Sequence, residues 1–290
     1  MSTPSPQFKT ALDVARSAEF DLDKKPERWH PGPPFDLLDL RPGRVILLGA
    51  PPGTGKTTLT LQLVSSVLAN HPKLRAVVGN VEMAAGSLVE KLLARLAGVR
   101  LDALMNRELL TDERIRVEAA IDTHAALLAR VAFLDPPFTL PHLGAAMQAH
   151  EARLAVVDYA QRFTTGDDDD RVKLDQLMSG VRRLATAGAG VILVSSLARQ
   201  KSSQGGSTYD GMNMASFRGS AELEFGADSA YLLKAGKNGN VLLECVKQRF
   251  GQMQNVPLRF DGPRQTFAAG DLLDGFDDAP EPRTRRRGKE

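Results

Sequence analysis

The chain has a single cysteine, Cys245, in 290 residues, which excludes an intrachain disulfide and any metal site built from several thiolates. Cys245 sits in an apolar run and reads as a small core residue. The five histidines, His30, His71, His124, His142 and His150, show no paired ligand spacing, so a zinc centre has nothing to stand on. No apolar run approaches the length that crosses a bilayer, and the opening Met1-Ser-Thr-Pro-Ser-Pro6 lacks the basic-then-apolar layout of a secretory signal. A cytoplasmic protein with no membrane partner is therefore expected. Thirty-seven basic residues almost cancel 35 acidic ones, leaving a formal charge of +2, so only local clusters can argue for a nucleic-acid partner. No internal repeat is visible.

What is present is a globular composition, 42% hydrophobic, enough for the core of one large α/β domain or two small ones. Residues 1–35 read as an arm or linker: a short helical candidate, Phe8 to Phe20, precedes the proline-rich His30-Pro-Gly-Pro-Pro34, which cannot continue a helix or a central strand. Strands and helices then alternate through residues 36–268, the pattern of a parallel sheet covered on both faces. Predicted strands are Arg44–Leu48, Ala76–Val81, Val131–Leu134, Leu154–Val157, Val191–Val194, Ser229–Leu233, Val241–Val246 and Pro257–Asp261. Predicted helices are Lys56–Asn70, Ala85–Ala97, Thr111–Ala129, Leu140–His150, Leu174–Ala187 and a short one near Gly219–Phe225. The last strands are joined by tight turns such as Gly236-Lys-Asn-Gly-Asn240, so the sheet is expected to finish antiparallel. Residues 269–290 turn acidic and then basic, ending Arg283-Thr-Arg-Arg-Arg-Gly-Lys-Glu290, and read as a disordered tail.

The run Val45-Ile-Leu-Leu-Gly-Ala-Pro-Pro-Gly-Thr-Gly-Lys-Thr-Thr58 carries the strongest chemical signal. An apolar strand feeds a glycine-rich turn, and a lysine and two hydroxyls then open a helix. Backbone N–H groups of the loop from Ala50 to Gly55 can face phosphates, and the helix N-terminus adds its positive end. In this cradle, Ala50, Pro51, Pro52, Gly53, Thr54, Gly55, Lys56, Thr57 and Thr58 would bind ATP, Lys56 reaching the β- and γ-phosphates and Thr57 ligating Mg²⁺. Ala50 takes the first glycine position of G-x-x-x-x-G-K-[ST], with Gly49 just ahead of it, and is small enough to leave the loop workable.

Three further positions suit hydrolysis of that nucleotide. Leu154-Ala-Val-Val-Asp158 delivers a carboxylate at the end of a strand where open α/β sheets bind ligands, so Asp158 can serve the Mg²⁺ side. Glu82, at the tip of Ala76–Val81, can orient or deprotonate the attacking water; the lesser alternative is that it caps the helix from Ala85. Lys247 and Arg249 close a late strand, where such cations can reach from one subunit to a γ-phosphate held by its neighbour, or simply lie solvated.

These motifs occur together in one order. The chain resembles the C-terminal motor domain of the DnaB family of replicative helicases, a RecA-like fold, over roughly Leu37 to Phe267. After the P-loop, Val81-Glu-Met-Ala-Ala-Gly resembles "LEM", Val157-Asp-Tyr-Ala-Gln161 resembles "IDYLQ", and Val194-Ser-Ser-Leu-Ala-Arg199 resembles "LSQLNR". Arg218 to Asp228 is similar to "SGSIEQDAD", and Lys247-Gln-Arg-Phe-Gly251 to "KQRNG". The resemblance implies a RecA-like P-loop fold and an ATP- and Mg²⁺-dependent DNA helicase. It makes Glu82 the water-activating carboxylate, Asp158 the Mg²⁺-side aspartate, and Lys247 and Arg249 a trans-acting finger. It further implies a homo-oligomeric ring, commonly a hexamer, with single-stranded DNA in its pore and possible loader or replication proteins as partners. The Gly/Ser-rich segment from Arg199 to Arg218 would face that pore, with Arg199, Lys201 and Arg218 tracking phosphates.

Two departures qualify this. Ser196 stands where the family has a glutamine that couples phosphate state to DNA, and a helical N-terminal collar is not visible in the sequence. Both favour a second expectation, a RecA- or KaiC-like regulatory or recombination ATPase that does not unwind DNA. A small-molecule kinase is disfavoured, since no acceptor pocket can be read.

Overall fold

The computed structural model describes residues 8–17, 21–163, 169–197, 212–217 and 220–271. Chain order runs α1 (Ala11–Ala15), β1 (Val45–Gly49), α2 (Lys56–Asn70), β2 (Ala76–Asn80), α3 (Ala85–Ala97), α4 (Leu101–Met105), α5 (Thr111–Thr123) and α6 (Ala125–Leu128). It continues with β3 (Val131–Phe133), α7 (Leu140–Ala149), β4 (Leu154–Asp158), α8 (Asp170–Thr186), β5 (Gly190–Ser195), α9 (Ser220–Gly226), β6 (Ser229–Ala235), β7 (Asn240–Gln248), β8 (Val256–Asp261) and β9 (Thr266–Ala269).

One sheet contains all these strands in the order β3-β2-β4-β5-β1-β6-β7-β8-β9. Pairing is parallel from β3 to β6 and antiparallel from β6 to β9, the mostly parallel α/β architecture expected, with its antiparallel finish. The central strands are buried on both sides, which is why they read as unbroken apolar runs. Alternate residues feed two cores. Ile46, Leu48, Val78 and Ile192 pack under α2 and α3, while Val45, Leu47, Val157 and Val191 pack against α7, α8 and α9. A smaller cluster, Leu93, Val99, Leu104 and Val117, joins α3, α4 and α5.

The structure corrects several boundaries. The helix expected over Thr111–Ala129 is two, because the poor helix formers Thr123 and His124 interrupt it and His124 leaves helical geometry. The strand Ala76–Val81 stops at Asn80, whose side chain turns to cap the following loop. Helix α8 starts at Asp170 rather than Leu174, with an acidic residue at its positive end. Only Ala11–Ala15 of the helix expected over Phe8–Phe20 forms among the described residues. Helix α4 and strand β9 had no sequence signal longer than one turn or a few residues.

Trp29 and Phe35 are each 1% exposed, within the core that includes Leu38 and Leu40. The proline-rich segment is thus laid against the sheet, with the Trp29 ring over Gly190, where an added Cβ would meet it at 2.5 Å. Among the described residues, no helix is long and apolar enough to cross a membrane.

Candidate nucleotide-hydrolysis site

Strand β1 ends at Gly49, and the chain turns through Ala50 to Gly55 before α2 begins. Gly55 is the N-cap of α2 at φ +90°, left-handed backbone that glycine adopts without strain, and an added Cβ would sit 2.9 Å from the Phe267 ring. Thr54 Oγ1 donates to Pro51 O at 2.7 Å and Lys56 Nζ to Ala50 O at 3.0 Å, so the loop closes on itself around its lysine. Gly49 has a separate reason to be glycine: Phe217 and Leu197 pack where its Cβ would stand, at 2.5 and 2.7 Å.

Parallel registry aligns the chemistry. Gly49 lies level with Ser195, Val194 with Asp158, and Asp158 with Asn80, so the P-loop, Asp158 and Glu82 leave the same edge of the sheet. Thr57 Oγ1 donates to Asp158 Oδ2 at 2.9 Å. Asn80 Nδ2 donates to the same oxygen at 2.7 Å, while Asn80 Oδ1 accepts the N–H groups of Glu82 at 3.0 Å and Met83 at 2.7 Å. Asp158 is 2% exposed. Burial pushes its carboxyl up to about 6, and the charge of Glu82 adds to the rise; the Thr57 hydrogen bond, Lys56 and Asn80 oppose it.

A cavity of about 430 Å³ opens here, lined on its P-loop side by Gly53, Lys56, Thr57 and Glu82. Its far wall comes from the β8–β9 hairpin, with Phe260 and Gln265, and from Lys91 of α3. Gln265 Oε1 accepts from Thr58 Oγ1 at 2.5 Å and Lys91 Nζ at 2.7 Å, so the Thr58 hydroxyl serves the hairpin and only its backbone is left for phosphate. Ser196 also lines the cavity; its N–H donates to Gln161 Oε1 at 3.2 Å, and Gln161 Nε2 donates to Ser195 Oγ at 2.8 Å. The donor set suits a metal-bound polyphosphate: backbone N–H groups of a glycine-rich loop, a cation, and a hydroxyl facing a buried carboxylate.

Lys247 and Arg249 are elsewhere. In the β6–β7 pairing Lys247 stands opposite Ala230 and Gln248 opposite Ser229, at the start of β6, and Ser229 is level with Ile46. They therefore occupy the edge opposite this chain's own P-loop, since β1 climbs about 13 Å from Val45 to Gly49. Arg199, Lys201 and Arg218 lie outside the described residues.

Sequence reasoning missed Asn80, hidden as the last residue of an apolar run, where a polar residue in a buried strand end was the available signal. It also missed Gln265, at φ +52° in a turn with no motif around it.

Fold and loop together define a RecA-like P-loop NTPase fold. Residues 37–269 match the sequence model of the DnaB-like helicase C-terminal domain, and the chain belongs to that family. Named relatives are distant. A protein called probable plasmid replicative DNA helicase, from Chlamydia trachomatis serovar L2, is 23% identical over 241 residues, covering 79% of this chain and 51% of that protein. Its counterpart in Chlamydia muridarum is 23% identical over 238 residues, covering 78% and 51%. The chain thus spans about half the length of these relatives. Among solved structures, a DnaB-like replicative helicase studied with primase superposes with a TM-score of 0.70 at 17% identity, over 80% of this chain and 58% of that one. A separately solved ATPase domain gives 0.69 at 17% over 79% and 86%. A KaiC-like protein of Pyrococcus horikoshii OT3 gives 0.59 at 18% over 85% and 100%. These likenesses bear on the fold.

Proposed function

We propose that the chain is the motor of a DNA helicase, hydrolysing ATP with Mg²⁺ and moving along single-stranded DNA as a ring-shaped homo-oligomer, a hexamer in the simplest case. The observation that carries this reading is the convergence of Thr57 and Asp158 at 2.9 Å beside a cavity that Lys56 and Glu82 also line. Thr57 and Asp158 would hold the Mg²⁺ ion, which when bound supplies charge neutralisation on the phosphates. The P-loop from Ala50 to Thr58 binds the triphosphate through backbone N–H groups, and Lys56 leaves Ala50 O to meet the β- and γ-phosphates. Glu82, exposed at the cavity rim, orients the attacking water and takes its proton. Lys247 and Arg249, on the far edge, serve a neighbour's nucleotide rather than their own, which makes assembly a condition of full turnover. Arg199, Lys201 and Arg218 are proposed to contact DNA phosphates in the pore. Loader or replication proteins are proposed as partners, and the cytoplasm as the site of action.

A regulatory ATPase that binds DNA or protein without unwinding is the second reading, favoured by Ser196, whose short hydroxyl replaces a carboxamide. One experiment separates the two: ATPase rate with and without single-stranded DNA, together with strand displacement on a forked duplex. Stimulation with displacement supports the helicase. Stimulation without displacement favours the second reading, and undiminished turnover by Lys56→Ala overturns the site assignment itself.

A further inference from the structure

Asp228 is 3% exposed and sits at the sheet edge opposite the P-loop, between α9 and β6. Its Oδ1 accepts from Arg249 Nη1 at 3.2 Å, and its Oδ2 accepts from Arg182 Nη1 at 2.6 Å and the Val45 N–H at 2.9 Å. The backbone repeats the link, Arg249 N–H donating to Asp228 O at 2.8 Å. Arg249 Nη2 also donates to Phe225 O at 3.2 Å, and Lys247 Nζ donates to Ala227 O at 2.7 Å and to Glu224 O. The closing turn of α9 and Asp228 therefore grip both cations by their donors.

We propose that Asp228 is a positioning residue that aims Arg249, and with it Lys247, across the protomer boundary at a neighbour's γ-phosphate; this rests on the trans-acting role proposed above. Three features of the cluster support it. Arg182 and Arg249 both pair with the Asp228 carboxylate and Lys247 donates to the Glu224 and Ala227 carbonyls, so three cations gather round one buried carboxylate at a surface where Arg249 is 43% exposed in its side chain. Burial first, and then the charge of Arg249, hold the Lys247 ammonium below its ordinary range, against the opposing pull of Glu224 and Asp228. Such a gathering of cations suits an anion arriving from outside.

Second, Arg249 is held to one residue by both backbone and guanidinium, which fixes the direction of a side chain that would otherwise sample many rotamers. A guanidinium ordered in advance loses less entropy when it meets phosphate. Third, the same carboxylate is bonded to Val45, the first residue of the strand that ends in this chain's own P-loop. The anchor of the outgoing cation is thus rigidly part of the sheet.

The test uses the full-length protein and mixed assemblies. Asp228→Asn is expected to lower kcat roughly a hundredfold, the cost of misplacing a reacting group by about 1 Å, with KM for ATP unchanged. Asp228→Glu keeps the charge and displaces the guanidinium by about one methylene, so it is expected to lose kcat with a smaller fall in melting than Asp228→Asn, which covers the case in which Asp228→Asn fails to fold. Mixing with Lys56→Ala protomers, whose own sites are dead but whose cations are intact, is expected to restore activity to Asp228→Glu as it does to Arg249→Ala. If Arg249→Ala is rescued and the Asp228 variants are not, their defect lies in their own fold and the proposal is overturned. If Asp228→Glu turns over like wild type, it is overturned directly. If Arg249→Ala alone is fully active, the trans role fails, and Asp228 falls with it while the nucleotide site stands.

Discussion

Asn80 and Asp158 face each other across the β2–β4 ladder, and the Asn80 amide reaches the Asp158 carboxylate at 2.7 Å while its carbonyl oxygen holds the loop that carries Glu82. One buried side chain thus ties Asp158 to the loop of Glu82, the two carboxylates proposed for the metal and the water. Replacing it should disturb both at once.

Asn80→Ala is expected to cost about 1–3 kcal/mol of stability, since it strands buried polar partners. It should lower kcat by roughly tenfold or more through misplacement of Glu82, while ADP affinity, which depends on the P-loop, is retained. Steady-state kinetics beside fluorescent-ADP titration checks this. An unchanged kcat would remove Asn80 from the site.

Acidification tests Asp158. Its carboxyl is raised from 3.8 to about 6 in the folded protein, so the folded state binds the extra proton between those values. In the metal-free protein that contribution to stability is present below the unfolded value and is lost as pH rises through about 6. The ionised form is the one that can serve Mg²⁺, so the melting increment from Mg²⁺ and ADP is expected to grow as pH rises through the same range. An increment that stays constant over roughly one pH unit either side of that midpoint would contradict the assignment.

Gly55→Ala puts a methyl on left-handed backbone against two aromatic rings. A loss of about 1–3 kcal/mol is expected, together with weakened ATP and ADP binding. Thermal melting and nucleotide titration read the two effects separately. Gly53 has the same backbone sign with open space around it, so Gly53→Ala should show the binding loss with less destabilisation.

Trp29→Ala removes a ring buried to 1% exposure whose indole N–H donates to Glu27 at 2.9 Å. About 3–5 kcal/mol is expected, a fall in Tm on the order of 10 °C for a domain of this size. If melting were unchanged, residues near 29 would contribute nothing to the packed body.

The site was legible in the sequence wherever its chemistry demands a fixed local spacing. The turn from Ala50 to Lys56 has to be small, glycine-rich and followed by a hydroxyl if its backbone groups are to bind phosphates as proposed. Asp158 was legible because a buried strand of Leu154 to Val157 ends on a charge. Glu82 was legible by the same rule, though its backbone is set by Asn80, which no spacing reveals. The Thr58 hydroxyl was read with the phosphates, yet it bonds Gln265 from a turn 207 residues away, a partner that only folding brings.

Local pattern alone specified the alternation of strands and helices, the triphosphate loop and the carboxylates at strand ends, since period, turn chemistry and the reach of a few consecutive residues settle such features. Strand order belongs to the tertiary structure. Registry between distant strands puts Thr57, Asn80 and Asp158 within hydrogen-bonding distance and sends Lys247 and Arg249 to the opposite edge. The burial that raises Asp158 likewise arises only when both faces of the sheet are covered, because a carboxylate loses its water only inside a closed core.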